Sequence, residues 1–250
     1  MRVIEEGAKI GANVKIGENV FISRDAVIED NCEIAHGAAI YGKTRIGEGT
    51  KIFSYAVVGS IPQDLKYRGE DVELIIGKNN IIREFTLINP GTEGGGGRTI
   101  IGDNNLLMGY VHVAHDCKIG NNCILANAAT LAGHVELGDN VVIGGMTPVH
   151  QFVKIGDYAM IAGASAVGQD IPPYCLAEGN RAKLRGLNLT GLRRRLGSEV
   201  INELKSAYKE LFQSGRPLQE TAQELVRSQN EHVQKLARFV LDTKRGIPYR

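Results

Sequence analysis

The chain has 250 residues, room for one large domain or two, and its 29 basic and 28 acidic side chains leave a formal charge of +1. That balance argues against wholesale nucleic-acid binding, and neither a signal peptide nor an apolar run long enough to span a bilayer is present. Four cysteines (Cys32, Cys117, Cys123, Cys175) follow no metal-ligand or disulfide-framework spacing, so buried reduced thiols and a cytoplasmic location are expected.

From the N-terminus the chain is organised by an aliphatic residue at every sixth position. Ile4, Ile10, Ile16, Ile22, Ile28, Ile34, Ile40, Ile46, Ile52 and Val58 keep the beat; Ile76, Ile82 and Ile88 resume it, and Ile101 to Val167 carry it on. A period of six makes no apolar stripe on an α-helix. It does suit short strands joined by corners, because the anchor and the residue four later both point inward from an extended backbone. Gly, Asn and Asp between hexads supply corners with positive φ. The prediction is a parallel β-helix of hexapeptide repeats over 1–179, three hexads to a triangular coil of 18 residues. The first coil is expected to be open or incomplete, as a solenoid end without a cap.

Two stretches break the beat. Between Val58 and Ile76 lies Gly59-Ser-Ile-Pro-Gln-Asp-Leu-Lys-Tyr-Arg-Gly-Glu70, and between Ile88 and Ile101 lies the glycine-rich Asn89-Pro-Gly-Thr-Glu-Gly-Gly-Gly-Gly97. Solenoids carry insertions as surface loops, often on the binding face, which makes Gln63, Asp64 and Lys66 candidate ligand contacts. The second loop lacks the Lys-Ser/Thr ending of a P-loop and reads as flexible surface.

Beyond residue 180 the periodicity turns helical. Ser198 is expected to cap a helix through Val200, Leu204, Tyr208 and Leu211 that ends at Gly215; Pro217 starts a second, and Val233, Leu236, Phe239 and Val240 mark a third. These form a C-terminal α-helical domain over 180–250. Arg181, Lys183, Arg185, Arg193, Arg194 and Arg195 crowd its start without an acidic residue among them, as a solvated basic face or a site for an anionic partner.

Residues 18 apart sit one above the other on adjacent coils. One column is His115, Gly133, Gln151 and Gln169; beside it run Asp116, His134, Phe152 and Asp170, with His112 at the preceding corner. A histidine beside a carboxylate suits general-base chemistry, and a glycine one coil above it bares an N–H for an oxyanion. The same histidines could instead hold a metal if they converge. The column Gly109, Asn127, Gly145 and Gly163 leaves a groove for an extended acyl chain, or merely serves corner geometry.

The chain resembles the UDP-N-acetylglucosamine acyltransferases that open lipid A biosynthesis. The likeness covers nearly its whole length and rests on Ile61-Pro-Gln-Asp-Leu-Lys-Tyr67, Ile82-Arg-Glu84, Asn105-Leu-Leu-Met108, Val113-Ala-His-Asp-Cys117, Thr130-Leu-Ala-Gly-His134, Ile143-Gly-Gly-Met-Thr147, His150-Gln-Phe152 and Gly191-Leu-Arg-Arg-Arg195. It implies a left-handed β-helix, a homotrimer with sites between subunits, and a 3-hydroxyacyl transfer from acyl carrier protein to the 3-position of UDP-N-acetylglucosamine, with no enzyme-bound cofactor or metal. By that resemblance His115 is the base, Asp116 its orienting partner and Gly133 the oxyanion donor. Gln63, Asp64, Lys66, His112, His134, Gln151, Asn188 and Arg194 fall at substrate positions, Arg194 near the phosphates. Gly163 falls at the position that gates acyl length, left open for a long chain. The basic segment gains a reason in the acidity of the carrier protein. Asn89-Pro90 replaces a His-Arg pair common in the family, and Arg181 replaces a common His near the groove's end. A 3-amino sugar acceptor, giving an amide, is the alternative. A γ-type carbonic anhydrase shares the coil but needs three zinc-binding histidines, and a non-catalytic scaffold would tolerate loss of His115.

Overall fold

The computed structural model describes residues 2–249. The hexads form a left-handed parallel β-helix whose three faces are sheets of eight, eight and ten strands. Most strands are two residues long, with the first side chain outward and the second, the aliphatic anchor, inward. Strand partners follow the expected step of 18 residues: Phe21 opposite Ala39, His112 opposite Thr130, Lys118 opposite Glu136. The two breaks stretch that step without disturbing the stacking. Lys43 pairs with Glu73, 30 residues on, and Glu73 with Arg98, 25 on. Each loop therefore leaves the coil and returns in register.

The core is the column of anchors. Ile22, Ile28, Ile40, Ile46, Ile52 and Ile82 are at most 1% exposed, and Cys32, Cys117 and Cys123 fill the small inward sites. Each buried aliphatic side chain contributes about 1.5–3 kcal/mol. Burial pushes the thiols of Cys117 and Cys123 up to about 12, which leaves them protonated packing groups. At the N-terminal end Val3, Ile4 and Ile10 of the first coil are exposed.

The C-terminal end departs from the sequence reading. The chain does not turn helical directly after 180: Cys175–Glu178 pairs antiparallel with Lys183–Leu187, completing the ten-stranded sheet. The expected domain boundary at 179/180 falls in the turn of that hairpin. Four helices follow: α1 (Leu189–Leu192), α2 (Ser198–Phe212), α3 (Leu218–Leu225) and α4 (Glu231–Asp242). Gly197, not Ser198, occupies the cap of α2, because Ser198 is already in the first turn. Asn230 caps α4 by accepting from the N–H groups of His232 and Val233. Leu204, Leu211, Ala222, Leu236 and Val240 form a second core that closes over Tyr174 at the end of the coil. Asp170, which ends the His134 column, ties the tail down: its carboxylate accepts from Lys154 N, Thr243 Oγ1, Lys244 N and Arg245 N. Among the described residues no helix is long and apolar enough to cross a membrane.

Candidate active site

His115 and Asp116 sit at the corner that follows the strand His112–Val113. Asp116 takes φ 60°, a left-handed conformation that Asp tolerates better than most residues. That turn aims its carboxylate back at the preceding ring: His115 Nδ1 lies 2.7 Å from Asp116 Oδ2. Asp116 Oδ2 can only accept, so Nδ1 donates and Nε2 carries the free lone pair. One coil above, Gly133 backs onto the ring; a Cβ there would lie 2.6 Å from His115 Cε1. The φ of Gly133 is not positive, so the corner does not demand glycine; the imidazole does. The Gly133 N–H donates to no group among the described residues.

His134, at φ 63° on the same coil as Gly133, stands edge-on to His115 with centroids 5.1 Å apart and is stacked in turn on Phe152. Burial pushes the His134 imidazole below its usual range, although the Asp116 carboxylate beside it pulls the other way. His112 is also held low by burial, and its Nδ1 lies 3.2 Å from the Leu87 carbonyl, which opposes the shift. Both imidazoles are therefore biased toward the neutral form.

The first loop reaches the site. Asp64 Oδ2 comes within 4.0 Å of His115 Nε2, and Asp64 Oδ1 accepts from the Lys66 N–H. With Lys66, Glu70, Glu93, His134 and Phe152 it lines a cleft of about 540 Å³. Asn89 fastens that loop from below, its buried amide donating to Ser60 O, Ser60 Oγ and Ile61 O. Gln63, Lys66 and Gln151 are exposed at the rim.

The glycine-rich loop is not the free surface expected of it. Thr92 is buried and bonds both oxygens of Asp116: its N–H to Oδ1 at 2.8 Å and its Oγ1 to Oδ2 at 2.6 Å. Gly95 lies so close over the carboxylate that any side chain there would overlap it. Composition concealed this, because glycine runs read as mobile; the legible signal was a lone Thr among them. The ligand atoms of His115, Asp116 and His134 lie within 4.8 Å of one another, close enough to consider a metal. Asp116, however, already spends its oxygens on Thr92 and His115, which favours a hydrogen-bonded dyad over a ligand set.

The glycine column also resolves. Gly109, Gly145 and Gly163 have no positive φ; the left-handed residues are their successors Tyr110, Met146 and Ala164. Corner geometry therefore does not require these glycines. The outer face of one sheet carries a largely apolar cleft of about 560 Å³, lined by Thr130, Pro148, His150 and Ala166, with Arg181 among its lining residues. Asn188 is buried; its Oδ1 accepts from Gly191 N and its Nδ2 donates to the Tyr158 carbonyl. Arg194 is exposed just beyond α1, and among the described residues Arg193, Arg194 and Arg195 form no ion pair.

Known proteins share both halves of the chain. The bacterial transferase hexapeptide profile matches residues 98–133, and the second domain of UDP-N-acetylglucosamine O-acyltransferase matches 170–248. The acyl-(acyl-carrier-protein)–UDP-N-acetylglucosamine O-acyltransferase of Sulfurimonas denitrificans is 66% identical over 250 residues, covering 100% of this chain and 96% of its own. That of Campylobacter concisus is 55% identical over 248 residues, covering 98% and 95%. The solved UDP-N-acetylglucosamine acyltransferase of Campylobacter jejuni superposes with a TM-score of 0.96 at 54% identity, covering 100% of this chain and 98% of its own. LpxA of Acinetobacter baumannii does so at 0.95 and 39%, covering 98% and 97%. With the coil, the helical cap and full-length identity all in agreement, the chain belongs to the UDP-N-acetylglucosamine O-acyltransferase family of acyltransferases.

Proposed function

We propose that the protein transfers a 3-hydroxyacyl chain from acyl carrier protein to the 3-hydroxyl of UDP-N-acetylglucosamine, the first step of lipid A biosynthesis. The observation that carries this reading is the dyad under a bare N–H: His115 held by Asp116 at 2.7 Å, with Gly133 stacked against its ring. His115 Nε2 takes the proton of the sugar 3-hydroxyl as its oxygen attacks the thioester carbonyl. The new C–O bond leaves an oxyanion that the Gly133 N–H receives. Collapse breaks the C–S bond, and the carrier's thiolate leaves with the proton from the His115 imidazolium. Asp116 fixes the tautomer that makes the first step available.

Around that centre, Gln63, Asp64, Lys66, His112, His134 and Gln151 hold the sugar and the acyl thioester. Asn188 and Arg194 belong to the substrate site, with Arg194 near the nucleotide phosphates. A groove along the column of Gly109, Asn127, Gly145 and Gly163 takes the acyl chain, and an open Gly163 leaves room for a long one, of the 3-hydroxymyristoyl type. The basic segment from Arg181 to Arg195 receives the acidic carrier protein. The active unit is a cytoplasmic homotrimer in which one protomer's dyad faces its neighbour's groove, with a boundary near 179/180 between coil and helical domain. The 3-amino acceptor is not favoured, since relatives 55–66% identical bear the O-acyltransferase name. The test is mass spectrometry of UDP-N-acetylglucosamine incubated with the enzyme and a panel of 3-hydroxyacyl carrier proteins. A product heavier by one acyl group is expected; no product with any chain would overturn the assignment.

A further inference from the structure

We propose that Thr92 is a positioning residue of the transfer, and that the glycine-rich loop exists to deliver it to the orienting carboxylate. The inference rests on the reading of His115 and Asp116 as base and partner. Asp116 is only 4% exposed, and a buried carboxylate is costly unless its oxygens are bonded. Thr92 supplies both bonds from a single residue: backbone N–H to Oδ1 and hydroxyl to Oδ2. Two donors fixed on one residue define the plane of the carboxylate. That plane decides where the remaining lone pair of Oδ2 points, and His115 Nδ1 lies on it at 2.7 Å. Without the Thr92 hydroxyl the carboxylate could rotate about its Cβ–Cγ bond, carrying the imidazole and its Nε2 away from the attacking hydroxyl.

The loop is shaped for this contact. A short 3-10 turn, Glu93–Gly95, begins at Thr92, whose carbonyl accepts from Gly95 N and Gly97 N, so the turn is wound on Thr92 itself. Gly95 then lies directly over the carboxylate, where only a glycine fits, and shields it from solvent. Gly91 is pressed against the backbone of Gly97 and Arg98, which pins the loop's two ends together. Thr92 also lines the cleft with Asp64 and Lys66, but its N–H and its hydroxyl proton are both spent on the Asp116 carboxylate, so it acts through Asp116.

The test is Thr92→Val, which keeps the backbone N–H and the side-chain shape and removes the hydroxyl. Its kcat is expected to fall ~10- to 100-fold with KM for UDP-N-acetylglucosamine within about threefold, and Thr92→Ser to recover most of the loss. In an Asp116→Ala background the same substitution should cost less than about twofold, because a residue acting through Asp116 has nothing left to position. An unchanged kcat in Thr92→Val, or an equal loss in both backgrounds, overturns the proposal. A readout free of turnover comes from NMR of histidine-labelled protein: the Nδ1–H proton of His115 should exchange with water at least ~10-fold faster in Thr92→Val, since a looser acceptor protects it less. No change in that exchange overturns the positioning role even if the wild type proves inactive on this sugar, whereas faster exchange in an inactive wild type supports the positioning role and rejects only the substrate.

Discussion

At one corner of the coil, successive turns place Asn104, Asn122 and Asn140 in the left-handed conformation; at another corner, Asp116, His134 and Phe152 adopt the same conformation within a few degrees. The backbone is the same, but the first corner uses Asn throughout and the second mixes Asp with two rings. Asn and Asp enter this region at little cost, His at somewhat more, and a side chain such as Phe costs about 1–2 kcal/mol there. The residues just before these corners differ in the same sense. Asn121, Asp139 and Asp157 form a ladder in which each side-chain oxygen accepts from an N–H one coil below: Asp103 N to Asn121, Asn121 N to Asp139, Asp139 N to Asp157. The equivalent positions at the other corner are His115, Gly133 and Gln151, and the Gly133 N–H goes unclaimed. One corner spends its side chains on the fold; the other withholds them from it. A solenoid makes this division easy to see, because every coil repeats the same geometry and only the chemistry changes.

The comparison breaks most visibly at the base. His115→Ala should lower kcat by ~1,000-fold or more while leaving the thermal midpoint within about 2 °C, since general-base removal costs up to about four orders of magnitude and the ring is not a core group. A variant with substantial turnover would return this corner to an ordinary surface turn. Gly133→Ala comes next. Its new Cβ meets the His115 ring at 2.6 Å, so the ring must move. A displacement of that kind costs on the order of 100-fold in kcat, read by the same product assay, and an active Gly133→Ala would remove the reason given for a glycine there.

A crossed pair sharpens the contrast at smaller scale. His134→Asn places the cheap residue at the expensive corner. It should lower kcat/KM by ~10-fold and leave the thermal midpoint unchanged or raised, as relief of the backbone offsets the lost stack on Phe152. Asn122→Ala does the reverse: activity is retained, and stability falls by about 1 kcal/mol, or ~2–4 °C for a chain of this size. If both substitutions moved activity and stability together, the two corners would not be specialised as described.

How far these roles could be seen in the sequence depends on how local they are. The period of six and the step of 18 placed His115 beneath Gly133, and Asp116 beneath His134, because a solenoid turns sequence distance into height. Asp64 was legible only as a loop candidate: the step of 30 from Lys43 to Glu73 says how much chain leaves the coil, not where it folds back. Thr92 was hidden for the same reason, inside a glycine run whose path is set by contacts with Asp116 rather than by any period. Past Pro173 the rule lapses altogether. The hairpin Cys175–Glu178 with Lys183–Leu187 is held by pairing to the last coil, so its basic, weakly alternating sequence gave no strand signal against the helical pattern beyond it.

The smallest expected effect concerns pH. Burial holds His112 and His134 below the ordinary imidazole value of 6.5 in the folded protein, and in the unfolded chain both return to it. Above about pH 7 neither state binds the extra protons, and the contribution of these two residues to stability is fully present. As the pH falls through 6.5 the unfolded chain takes up protons that the folded chain resists, so stability declines toward acid. A surface pair on the coil adds a separate, small loss lower down, because Glu29, held below 4.5 chiefly by its hydrogen bond from Arg45, loses its advantage only as it protonates. The urea midpoint should thus be flat from about pH 8 to 7, slope down as the pH falls through 6.5, and fall again in stronger acid. His134→Asn should flatten part of the middle slope and leave the acid limb alone. Asn122→Ala should lower the whole curve without changing its shape, because its cost lies in backbone conformation and binds no proton. A middle slope that survives in His134→Asn undiminished would assign it to His112 and leave the His134 corner electrostatically silent.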